Sequence, residues 1–203
     1  MSTPLRDFED LIFLFNFNVE TRGIIRMDLD EAAYLYKVVK TIDKKNPLCV
    51  EIGRAYGGTT LLLLSAGGAV MSIDDQMNPV FKSKQVVDEM THRFSVFMDT
   101  HKLPKTFLKV QVADSKTYDY GELKCDVLFI DGEYSRRNIK ADFDHWVKAL
   151  VPGGHLFIHD AIKQRKGATM IDEVSIFLQE INTLTRVRAV GSLAHFVNES
   201  EGL

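Results

Sequence analysis

The chain has little that would staple or anchor it. Of its 203 residues only two are cysteine, Cys49 and Cys125. Both stand in apolar runs, which suits buried, reduced thiols in a cytoplasmic protein better than a disulfide framework. No apolar run approaches the ~20 residues needed to cross a bilayer, so a membrane-spanning chain is excluded too. Positive charge is not in excess: 25 Lys and Arg against 28 Asp and Glu leave a net charge of −3. That balance cannot neutralise a phosphate backbone and speaks against a nucleic-acid partner. Repeats, linkers and low-complexity tracts are absent. The apolar run Leu11 to Phe15 follows Asp7, Glu9 and Asp10, where a targeting peptide would carry positive charge. Residues 1–27, with Phe8, Phe13, Phe15 and Phe17, therefore read as an amphipathic helical extension that serves as core, lid or homodimer contact. What is present is the composition of a globular protein, 45% hydrophobic and 26% charged, enough for a single domain over residues 1–203.

Short apolar runs alternate with longer stretches of helical spacing. The runs Leu48 to Ile52, Ala69 to Ile73, Phe107 to Val112, Val127 to Ile130, His155 to Ile158, Arg186 to Val190 and Ala194 to Val197 read as strands. Helical spacing covers Asp30 to Asp43, Thr59 to Ala66, Lys82 to His101, Arg137 to Leu150 and Thr169 to Ile181. Strands separated by helices predict βαβ units, and two successive strands at the end predict an antiparallel hairpin. The expected fold is a three-layer α/β sandwich around a mostly parallel, seven-stranded sheet. Ligands of such sheets bind beyond the carboxyl ends of the strands, where strand order reverses.

The residues at those ends carry the chemistry. After the first strand comes EIGRAYGGTT, Glu51 to Thr60. Gly53, Gly57 and Gly58 free the backbone for a sharp turn, and Thr59 begins a helix whose amide N–H groups favour an anionic group. The spacing departs from the G-x-G-x-x-G of dinucleotide sites, with Ala55 in the middle position and Glu51 just before the first glycine. It suits a ligand carrying an amine beside a carboxylate better than a pyrophosphate; a plain strand-to-helix turn is the alternative. Asp74, about 20 residues further on, stands where an acid accepts from ribose hydroxyls. Asp114 and Ser115 follow the third strand, either beside an adenine or as a cap. The fourth strand ends in Asp131-Gly132 and the fifth in His159-Asp160. If those strands are neighbours, Asp131 and Asp160 converge, to bind a hard cation or to raise one pKa and make a base.

EIGRAYGGTT, the SIDD strand end, FIDGEYS and PGGHLFIHD together resemble the class I S-adenosylmethionine-dependent methyltransferases, in their small-molecule O-methyltransferase-like branch with a D-G-x-H motif. The resemblance spans roughly residues 28–197 and implies a Rossmann-like fold. It implies that Gly53, Gly57 and Thr59 hold the methionine end of S-adenosylmethionine, that Asp74 binds its ribose, and that Asp114 and Ser115 lie beside adenine. It also implies a Mg2+ site at Asp131 and Asp160. Two positions depart from the pattern. Ala161 stands where relatives have a metal-binding Asn, and Tyr134 where they have His or a catalytic Lys. The catalytic candidates are Asp131, Tyr134 and His159, acting on an oxygen, or secondarily a nitrogen, of a small-molecule acceptor. A nicotinamide-dependent oxidoreductase on a similar sheet and a non-catalytic cofactor-binding scaffold are the competing readings.

Overall fold

In the computed structural model, which describes residues 24–78, 82–133, 135–161 and 170–200, the apolar runs pair into one seven-stranded sheet. In chain order the strands are β1 (Leu48–Ile52), β2 (Ala69–Asp74), β3 (Leu108–Val112), β4 (Cys125–Ile130), β5 (Leu150–Ile158), β6 (Thr185–Val190) and β7 (Leu193–Val197). They lie in the order β3-β2-β1-β4-β5-β7-β6. The first five run parallel, and β7 and β6 close the far side antiparallel. This is the expected Rossmann-like sandwich with its terminal hairpin.

Five helices, α1 (Leu29–Thr41), α2 (Gly58–Ser65), α3 (Lys84–Thr100), α4 (Arg136–Trp146) and α5 (Met170–Glu180), cover the two faces. Because successive strand side chains point to opposite faces, Val127 and Phe129 join one core with α1, α2 and α3. Leu128 and Ile130 join the other with α4 and α5. Both cysteines are free and buried, one in each core. Among the described residues no helix is long and apolar enough to cross a membrane.

Two boundaries differ from the sequence reading by more than two residues. β5 starts at Leu150 rather than His155, because Pro152-Gly153-Gly154 does not end the strand but loops out of it. The register passes from Cys125 opposite Leu150 to Val127 opposite His155. Gly153 adopts φ +75°, and hydrogen bonds to Asn198 on either side of the bulge hold it to the chain beyond β7. The fourth helix stops at Trp146 and tightens into a 3-10 turn at Val147–Ala149. The N-terminal extension lies outside the described residues up to residue 23.

Strand order reverses between β1 and β4, since β2 and β3 extend the sheet on one side and β5 on the other. The carboxyl ends of β1, β2, β4 and β5 therefore open onto one place.

Candidate functional site

A cavity of about 640 Å³ occupies that place, within the range of small-molecule and cofactor sites. Gly53, Ala55, Asp74, Ser115, Asp131 and Asp160 line it together with Arg26, Met77, Asp142 and others.

The loop after β1 makes its floor. Gly53 has φ +86°, and a Cβ there would lie 2.2 Å from the Asp131 carbonyl oxygen. Only glycine lets the β1 and β4 ends close up, with Asp131 N–H donating to the Ile52 carbonyl at 2.8 Å. Ala55 also has a positive φ, 46°. Behind the cavity wall, Gly57, Gly58 and Thr59 begin α2. Gly58 is packed so tightly on the Ile24–Ile25 backbone that a Cβ would come within 2.5 Å of it.

Asp74, the last residue of β2, ties the loop down. Its Oδ2 accepts from the backbone N–H of Arg54 at 2.8 Å and of Ala55 at 3.3 Å, and its Oδ1 from that of Gln76 at 2.7 Å. Arg54 runs its guanidinium beneath the loop to the Ser72 and Gln111 carbonyls, both at 3.2 Å.

Glu51 does not reach the cavity. β1 turns it toward α2, where Oε2 accepts from Thr60 Oγ1 and Ser72 Oγ, each at 2.5 Å. Burial pushes its carboxyl up to about 7, against the pull of those two hydrogen bonds. Asp114 likewise lies off the wall. It is exposed, forms an ion pair with Lys116 at 3.2 Å, and accepts from the Lys116 backbone N–H.

The opposite wall is a chain of charges. His159, at 2% exposure, places Nδ1 3.0 Å from Asp131 Oδ1 and Nε2 3.2 Å from Glu31 Oε2. Burial alone would lower its pKa, but Asp131, Glu31 and Asp160 outweigh it and raise the value to about 10. Both ring nitrogens then donate. Glu31 is fixed from α1: Oε2 accepts from Asp28 N–H at 2.8 Å. Its Oε1 accepts from Ser192 N–H at 2.5 Å and Ser192 Oγ at 2.8 Å. Burial would raise the Glu31 carboxyl, yet these donors hold it down to about 2. His159 stands behind Asp131 rather than in the cavity wall. Tyr134 lies outside the described residues.

A divalent cation does not fit this donor set. One oxygen of Asp131 already faces an imidazolium, and Ala161, at the place of the relatives' Asn ligand, is fully buried hydrocarbon. Among the described residues no three His, Cys, Asp or Glu side chains are grouped to hold a metal.

Sequence reasoning missed Glu31 and Asp142. Asp28-x-x-Glu31 ahead of an apolar run is legible as a helix start, but nothing in the sequence joins it to His159. Asp142 carried a clearer signal. It is a carboxylate flanked at helical spacing by Ile139, Phe143 and Trp146, which places it on the buried side of its helix.

With this geometry in place, the comparisons with known proteins converge. The model of a family described as "Methyltransferase domain" matches residues 50–161. No curated protein sequence matches the chain. Among solved structures, a protein described as a candidate caffeoyl-CoA O-methyltransferase from Staphylococcus aureus is similar at TM-score 0.63 and 12% identity, over 85% of this chain and 84% of that one. A candidate rRNA methylase from Clostridium thermocellum gives TM-score 0.63 at 14% identity, over 88% and 100%. The N-methyltransferase NodS from Bradyrhizobium japonicum, in complex with S-adenosylhomocysteine, gives 0.57 at 19%, over 95% and 98%. At these identities the likeness is one of fold. The activities named for these three proteins differ in acceptor, so the fold does not choose among them.

Proposed function

The chain belongs to the methyltransferase-domain family and is an S-adenosylmethionine-dependent methyltransferase, and on that premise we propose that its acceptor is a hydroxyl oxygen of a small molecule. The observation that carries this reading is Asp131, a carboxylate on the cavity wall with His159 fixing one oxygen from behind at 3.0 Å. A hydroxyl must lose its proton as it is methylated, and a carboxylate set at the cavity accepts it.

When bound, S-adenosylmethionine supplies a methyl group on a sulfonium, a leaving group that needs no acid from the protein. The chain's own part is to bind and align. Gly53 and Ala55 bring bare backbone to the methionine end. Asp74, with lone pairs beyond those its three backbone donors use, accepts from the ribose hydroxyls. Asp131, oriented by His159, takes the acceptor's proton. No step runs through Mg2+, for which the donor set is unsuited. Arg26, poised 5.0 Å over the Tyr56 ring, and Met77 line the same cavity. They supply the acceptor end.

The test is turnover on a panel of small phenols, alcohols and amines, with and without magnesium. Methylated oxygen, made equally well with a chelator present, bears the proposal out. Methylated nitrogen alone overturns the acceptor, and cofactor binding with no turnover on any class points to the scaffold reading.

A further inference from the structure

The underside of the loop after β1 holds polar atoms that no protein group meets. Glu51 is wholly buried and Arg54 is 3% exposed. Ser72 joins the two, since its Oγ donates to Glu51 Oε2 and its carbonyl accepts from Arg54 Nη1. The other half of each side chain is unmatched: Glu51 Oε1, Arg54 Nε and Arg54 Nη2 find no hydrogen-bond partner among the described residues. Burial is the larger influence on both, raising the Glu51 carboxyl and lowering the Arg54 guanidinium, but each is also drawn back by the other's charge, so the two stand close together. Almost every buried polar group in a folded protein is hydrogen-bonded, to protein or to an internal water. Unmatched atoms on two neighbouring buried side chains call for a shared partner.

The chemistry of the two groups says what that partner is. Glu51 Oε2 already accepts from two hydroxyls, Thr60 Oγ1 and Ser72 Oγ, so a protonated carboxyl carries its proton on Oε1. That makes Oε1 a donor, and the guanidinium is a donor at every nitrogen. Direct contact would then set donor against donor. Once Glu51 ionises, at about 7, Oε1 becomes an acceptor and needs a donor instead. A direct ion pair serves only this second form. The bridging group must accept from Arg54 throughout, while it accepts from Oε1 in one state and donates to it in the other. An anion accepts but cannot donate, and a metal cation is repelled by the guanidinium. Water does both, with two lone pairs and two hydrogens.

We propose that an internal water molecule bridges Glu51 Oε1 to the Arg54 guanidinium and fastens the loop after β1 from beneath. Arg54 is held at both ends by this arrangement, since its backbone N–H is the one that Asp74 Oδ2 accepts at 2.8 Å. The water itself is independent of the cofactor reading; its effect on ligand binding rests on the cavity being the S-adenosylmethionine site. The first experiment is a high-resolution crystal structure of the full, ligand-free chain, grown with bromide in place of chloride. Water density within hydrogen-bond reach of Glu51 Oε1 and of Arg54 Nε or Nη2, with no anomalous bromide signal, is expected. Glu51 Oε1 in direct contact with Arg54, or a bromide at that position, overturns the proposal with no variant needed. The second experiment counts long-lived internal waters by oxygen-17 relaxation dispersion. Glu51→Leu combined with Arg54→Met replaces both polar partners by apolar groups and is expected to hold one such water fewer than the wild type. An equal count overturns the proposal. The same double variant is expected to bind S-adenosylhomocysteine at least tenfold more weakly, because the loop loses its anchor. Unchanged affinity overturns the anchoring role, and failure of the wild type to bind S-adenosylhomocysteine removes the cofactor site while the crystal density still decides the water.

Discussion

Glu31 on the first helix and His159 at the end of β5, 128 positions apart, meet at 3.2 Å in the protein interior. Through His159, Glu31 fixes Asp131, the carboxylate proposed to take the acceptor's proton. The first helix is therefore part of the site's support as well as the cover of one sheet face. Glu31→Gln removes the charge from one side of a buried, doubly bonded imidazolium. The expected cost is about 3 kcal/mol, because breaking such a pair leaves an uncompensated charge. At this chain length that lowers Tm by about 6 to 12 °C. Calorimetric melting of the variant checks it, and a Tm within a degree of wild type would show that the pair contributes nothing.

His159 also sets a pH dependence. Its folded pKa of about 10 lies above the ordinary 6.5, so its contribution is fully present below pH 6.5 and is lost as pH rises through 10. Denaturant midpoints measured across that window should fall in the wild type and stay nearly level in His159→Asn. Equal slopes would mean that the ring is neutral in the folded protein.

Glu51 acts in a lower window. Burial holds its folded pKa at about 7 against 4.5 in the free side chain, so the folded protein keeps a proton that the unfolded chain releases. Stability from this group is greatest below pH 4.5 and declines as pH rises to 7. Glu51→Gln should remove the decline in this range while leaving the one between 6.5 and 10 in place.

Much of this was legible in the chain. The strand Leu48 to Ile52 and the loop behind it announce themselves by β-branched residues followed by glycine, and Gly53, Ala55, Asp74 and Asp131 do meet at one cavity. What escaped was set by tertiary contact. Glu51 looked like a ligand because it adjoins the glycine loop, but β1's alternation turns it to Thr60 and Ser72. Asp114 looked nearer to a base than Asp142, yet α4 folds Asp142 onto Ser115 and leaves Asp114 to solvent. Pro152-Gly153-Gly154 lies between the helix and the strand expected there, and pairing with Asn198 makes it a bulge within β5.

Gly53 is the backbone position on which the β1 and β4 ends depend. In Gly53→Ala the new Cβ meets the Asp131 carbonyl at 2.2 Å with φ at +86°. The left-handed conformation alone costs about 1 to 2 kcal/mol, and the collision adds to it. The variant should melt lower and lose the stabilisation that S-adenosylhomocysteine gives. Retention of full ligand stabilisation would show that the loop does not touch the ligand.

The most direct measurement is the melting temperature of the protein with S-adenosylhomocysteine or NAD, in the wild type and in Asp74→Ala. At a hundredfold excess over its dissociation constant the sulfur ligand should add about 2.7 kcal/mol, a rise of about 5 to 10 °C. NAD should add nothing. Asp74→Ala should lose about 1.5 to 3 kcal/mol of binding, roughly ten- to hundredfold in affinity. A rise with NAD alone, or a rise with the sulfur ligand that Asp74→Ala leaves intact, would contradict the assignment of the cavity at the β1–β4 switch point.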